Sequence, residues 1–179
     1  MARRTIPGQD RVAEPCSLSA VELAGAIRRR QVSSREVVEA YLWRIEETNP
    51  SVNAVAVVFG ERALDAARTA DRAALADADL PPLHGVPFTI KGNIDLAGTP
   101  TTQGIRALTA AYPAADAPVV ERMRAAGTIP IGHTNLPDFA IGWHTDSELW
   151  GATVNPWDRS RTPGASSGGE GIFMPIDPP

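Results

Sequence analysis

Pro163-Gly164-Ala165-Ser166-Ser167-Gly168-Gly169-Glu170-Gly171 sets two adjacent serines between small residues. Glycine lets a backbone reach positive φ or pass close to another group, so such a turn can push a serine into a site or against a bound anion. On these residues alone a flexible Gly/Ser loop is an equally good reading. A phosphate-binding loop is a weaker one, because no Gly-Lys-Ser/Thr follows the glycines and the lysine that would reach the phosphates is missing. The choice among these readings decides the fold, and it rests on the rest of the chain.

The 179 residues suffice for one domain with a core. A hydrophobic content of 43% against 21% charged residues excludes a disordered chain. A net charge of −4 argues against direct binding to nucleic acid. The single cysteine, Cys16, excludes an intrachain disulfide framework and fits a reducing compartment. Met1 to Arg11 is basic but lacks the apolar core of a secretory signal, and no apolar run approaches membrane-spanning length. The expected location is the cytoplasm, without a membrane partner.

Residues 1–16 read as an irregular arm broken by Pro7, Gly8 and Pro15. Ser19 with Glu22, and Ser33 with Glu36, spell capping boxes for two helices. The first helix runs to about Arg30, and Asn49-Pro50 is expected to stop the second. Ala54 to Phe59 predicts a strand and Ala63 to Ala78 a helix with one solvated face. After Pro81-Pro82 come a short apolar strand, Val86 to Lys91, and turn residues from Gly92 to Thr102. Asp116 is placed to cap a helix ending near Ala126 and Gly127, followed by a strand over Thr128 to Gly132. Turns dominate from Thr134 to Ser160. Helices alternating with short buried strands predict an α/β layout.

Lys91, ending an apolar strand, either snorkels to water or is held partly buried. Burial lowers a lysine's pKa and makes a neutral amine available as a base, which matters when a hydroxyl comes within reach. Ser–Lys pairs are one variant of the nucleophile–base arrangement. His84, His133 and His144 match no zinc spacing and read as structural, and the aspartates Asp95, Asp116, Asp138 and Asp146 form no calcium loop. Trp143, Trp150 and Trp157 read as core or turn packing.

Several segments together resemble the amidase signature family of serine amide hydrolases. Leu83-His84-Gly85-Val86-Pro87-Phe88-Thr89-Ile90-Lys91 is similar to that family's catalytic-lysine strand, and Gly98-Thr99-Pro100-Thr101-Thr102 to the turn after it. Gly132 to Ala140, Gly151 to Asp158 and the serine motif follow in the family's order. The paired N-terminal helices fit as well, so the resemblance covers about residues 17–171, with 172–179 a proline-rich tail.

The resemblance implies the N-terminal portion of the amidase signature fold: helices packed on a mixed β-sheet that is incomplete in this chain. It implies hydrolysis of a small-molecule amide with neither metal nor cofactor. Within that family's triad, Lys91 would be the base and Ser166 the serine in a cis peptide bond that relays the proton, with Ser167 a neighbour that could orient it. The family's nucleophilic serine and oxyanion donors lie further downstream than Pro179, so residues 1–179 alone are expected to be inactive and marginally stable. An amidotransferase A-type subunit is the alternative, as is a non-catalytic fragment that self-associates or pairs with an intact homologue. Two local departures stand out: Gly92 where the family usually has aspartate, and Ala165 where it usually has glycine.

Overall fold

The computed structural model describes residues 15–76 and 79–172. Most of the N-terminal arm, the last two residues assigned to the alanine-rich helix and the tail from Phe173 lie outside them. The end of the arm is regular: Pro15–Ser17 form a single 3-10 turn.

Both capping boxes form. Ser19 starts helix α1 (Ala20–Arg28) and Ser33 starts α2 (Ser34–Val52), each hydroxyl accepting from the backbone N–H of the glutamate three residues on. The Glu22 pKa is lowered by the hydrogen bonds it accepts from Ser19. The N-terminus of α2 gains a second acceptor from afar: Asp71 takes the backbone N–H of Ser34 at 2.7 Å and of Arg35 at 3.2 Å. Pro50 does not stop α2, contrary to expectation; the helix runs on to Val52 and closes on Asn53, in the left-handed conformation at φ 51°. A proline so near the end removes one helical bond, and the Asn49 side chain serves the following turn by accepting from the N–H of Ala54 and Val55 at 2.8 Å each.

Strand β1 (Val55–Val58) leads into α3 (Gly60–Leu75), which starts three residues before the expected Ala63. Strand β2 (Pro87–Lys91) and the longer β3 (Ile129–Thr134) flank α4 (Pro118–Ala125) in sequence. Asp116 does not cap α4; Ala117 holds the cap position. The Asp116 carboxylate instead accepts from Ala97 N at 2.8 Å and pairs with Arg124 at 2.8 Å. Burial raises its pKa, but these partners outweigh burial and leave it lowered.

The three strands form a mixed sheet in the order β1-β3-β2, with β1 antiparallel and β2 parallel to the central β3. Thr134, fully buried at the end of β3, has Val55 as its register partner on one side and Lys91 on the other. Val38, Ile45, Ala63, Ala67 and Ile131 pack α2 and α3 onto one another and onto the sheet. Phe59, Ile90, Leu96 and Val120 fill a second cluster beside α4. The short pair β4 (Asp146–Ser147) and β5 (Gly151–Ala152) follows, then the serine motif and α5 (Gly168–Ile172). Of the late tryptophans, Trp143 is 89% and Trp157 53% exposed, so neither lies in a core, while Trp150 is half-buried.

Candidate active site

Lys91 is the last residue of β2, and Thr134 beside it is the last of β3. The site lies at the carboxyl ends of parallel strands, where open α/β sheets place their ligands. Against those ends sits the turn carrying Ser166. Lys91 Nζ donates to Ser166 Oγ at 2.7 Å across 75 residues of sequence. The peptide bond between Ala165 and Ser166 is cis. Burial lowers the Lys91 pKa, opposed in part by the Glu170 charge. Glu170 itself is held by Thr134, whose hydroxyl donates to Oε1 at 2.7 Å. Because Thr134 and Lys91 are register partners on adjacent strands, lysine, carboxylate and serine converge on one spot.

The turn is seated by close backbone approach. A Cβ at Gly169 would lie 2.6 Å from the carbonyl oxygens of Ala54 and Asn135 and 2.7 Å from Asn135 N. One at Gly168 would collide with Thr145 Oγ1. Gly164, at φ +93°, supplies the left-handed residue ahead of the serines. Ser167 is exposed, and its carbonyl accepts the Gly171 N–H at 3.0 Å. Of the two departures, Ala165 is exposed, so its methyl meets solvent rather than the turn. Gly92 is buried, and a Cβ there would approach Leu136 Cδ2 to 2.9 Å. An aspartate at that position would therefore displace Leu136.

The histidines stand apart from this pair. His133 is buried between Ile90 O at 3.2 Å from Nδ1 and Thr99 Oγ1 at 3.0 Å from Nε2, with its ring edge-on to Phe59. Burial lowers its pKa, against the smaller opposing effect of the Ile90 carbonyl, so the ring is a neutral structural group at pH 7. His84 faces Ala70 O at 2.9 Å. Among the described residues, no group of three or more His, Cys, Asp or Glu is placed to hold a metal ion, and no helix is long and apolar enough to cross a membrane.

Sequence reasoning singled out Lys91 and Ser166 but not Thr134, Thr145, Asn135 or Glu170 as residues that seat them. The composition carries a further signal: Lys91 is the sole lysine among 17 lysine and arginine residues. Arginine stays charged in proteins, so among these 17 side chains only Lys91 can give up its proton under ordinary conditions.

Fold and site define an α/β domain that presents a lysine–serine pair at the carboxyl end of parallel strands. The Amidase family model matches residues 36–175, and the chain belongs to that family. It is 46% identical over 153 residues to an indoleacetamide hydrolase of Bradyrhizobium diazoefficiens, covering 86% of this chain and 29% of that protein. It is also 46% identical over 158 residues to the A-type subunit of the glutamyl-tRNA(Gln) amidotransferase of Salinispora arenicola, covering 88% of this chain and 32% of that protein. The crystal structure of a bacterial aryl acylamidase of the amidase signature family superposes with a TM-score of 0.81 at 31% identity, covering 85% of this chain and 32% of that one. The chain thus spans about a third of the length of the relatives it matches.

Proposed function

We propose that residues 1–179 supply the base and the proton relay of a serine amide hydrolase, with residues 17–171 the N-terminal part of its domain. The observation that carries this reading is the 2.7 Å hydrogen bond from Lys91 Nζ to Ser166 Oγ, in a chain whose family hydrolyses amides. In the whole enzyme a further serine, outside residues 1–179, attacks the amide carbonyl. Its proton passes to Ser166 Oγ while Ser166 gives its own to neutral Lys91. The Lys91 ammonium returns a proton along the same path to the leaving amine, and water then releases the acid from the acyl-enzyme. A lowered Lys91 pKa suits the task, since a base works best with its pKa near the operating pH. No step calls for a metal or a cofactor. The substrate is a small carboxylic amide, and the setting is the cytoplasm.

The equal identity to an amidotransferase A-type subunit keeps a second outcome in view, in which the released ammonia passes to another acceptor instead of to solvent. Ile141 and Trp143, 80% and 89% exposed, offer an apolar surface on which a second copy or an intact homologue could pair.

A chimera tests the reading. Residues 17–171 replace the matching segment of the Bradyrhizobium indoleacetamide hydrolase, and hydrolysis of indoleacetamide and simple primary amides is measured. The chimera is expected to turn over amide, and Lys91→Ala or Ser166→Ala to lower kcat at least a hundredfold. A folded chimera that keeps its kcat after either substitution overturns the assignment.

A further inference from the structure

The serine turn is held on both flanks by one side chain that lies outside it. Thr145 is 1% exposed and sits directly before β4. Its hydroxyl donates to Gly164 O at 3.0 Å and accepts the Gly168 N–H at 3.1 Å. Gly164 lies two residues before Ser166 and Gly168 two residues after. We propose that Thr145 is a positioning residue that clasps this turn and so sets Ser166 Oγ at hydrogen-bond distance from Lys91. The inference rests on the base–relay reading of that pair.

The clasp is itself anchored. The Thr145 carbonyl accepts from Thr153 N at 2.8 Å, and the Thr153 hydroxyl donates to Asn53 O at 2.7 Å. Fully buried Asn135 donates to Thr153 Oγ1 at 3.0 Å and to Gly151 O at 2.8 Å, so the β4–β5 pair is fixed to the end of β3. Thr145 is thereby tied to the strand that ends beside Lys91. A hydroxyl offers one donor and two acceptor sites, and here it uses both functions. Valine keeps the shape and removes both bonds, leaving the buried Gly168 N–H without its acceptor and the half-buried Gly164 C=O with only Thr162 Oγ1 at 3.4 Å. Serine keeps the bonds and loses only the methyl.

The test places a reporter at the relay position. In the purified chain carrying Ser166→Cys, alkylation by iodoacetamide is followed against pH, and the modified residue is assigned by mass spectrometry so that Cys16 is scored separately. A cation beside a thiol lowers its pKa below the ordinary ~8.5. The expected rate at pH 7 is about tenfold above that of the Lys91→Ala double variant, the size of a one-unit shift. Adding Thr145→Val is expected to drop the rate to the Lys91→Ala level, and Thr145→Ser to restore it. Loss of stability alone, without a change in the pH profile, overturns the proposal. If the Thr145→Val chain does not fold, hydrogen exchange decides in the unsubstituted chain. Gly168 N–H protected like the β3 amides supports the clasp, and free exchange overturns it. If Lys91→Ala leaves the rate unchanged, the base–relay reading fails instead, and Gly168 exchange still judges the clasp.

Discussion

Gly169 and Gly171 lie in the same short helix and face opposite surroundings, which makes them a matched pair of probes for the seat of the serine turn. A Cβ at Gly169 would meet three backbone atoms of Ala54 and Asn135 at 2.6 to 2.7 Å, while one at Gly171 would meet nothing within 4 Å. Backbone at the junction of β1 and β3 cannot swing aside as a side chain can. Overpacking of this kind costs ~1–3 kcal/mol, and Gly169→Ala belongs at the upper end. Gly171→Ala gains up to ~1 kcal/mol from lost glycine freedom in a helix. The two variants should thus differ by roughly 3 kcal/mol. With a urea slope of ~1–3 kcal/mol/M, their unfolding midpoints should be separated by about 1 M or more. Should the turn lift off while the rest stays folded, the same loss appears as faster hydrogen exchange at Gly168. A Gly169→Ala chain that melts with Gly171→Ala and keeps Gly168 protected would refute the seating of the turn on Ala54 and Asn135.

Other outcomes follow from particular groups. Ser34 Oγ is buried without a hydrogen-bond partner, and Ser34→Ala removes an unsatisfied hydroxyl, so it should leave stability unchanged or raise it by up to ~1 kcal/mol in a urea melt. His133 has a folded pKa below the ordinary 6.5, so below that pH the unfolded chain binds the extra proton. Its contribution is complete above pH ~6.5 and declines as pH falls toward the folded value, and the difference in stability between the unsubstituted chain and His133→Asn should shrink over that window. Residues 1–179 alone should neither turn over primary amides nor label stoichiometrically with a fluorophosphonate probe, since neither Lys91 nor Ser166 attacks the carbonyl in this account. Labelling at Ser166 or Ser167 with turnover abolished by Lys91→Ala would make one of them the nucleophile.

Much of the frame was legible because it is written locally. Ser19/Glu22 and Ser33/Glu36 state helix starts within four residues, and the apolar runs before Lys91 and His133 state buried strands. Local rules failed where tertiary partners override them. Pro50 fits inside a last turn that Asn53 closes, and Asp116 spends its carboxylate on Ala97 and Arg124 instead of on a helix cap. The ordered motifs pointed to Lys91 and Ser166, but the residues that seat them could not be read. Thr145 meets the turn across 19 and 23 residues, and Thr134 meets Glu170 across 36. No periodicity or spacing rule spans such distances.

The central claim is that Lys91 is held partly buried against Ser166 as a base with a lowered pKa. Because Lys91 is the sole lysine, a chain grown on lysine labelled with 13C at Cε gives one side-chain resonance to follow. Titrating that resonance should yield a midpoint below the ordinary 10.5, moving further down in Glu170→Gln as the opposing charge is removed. A midpoint at or above 10.5 in the folded chain, indifferent to Glu170, would contradict the account.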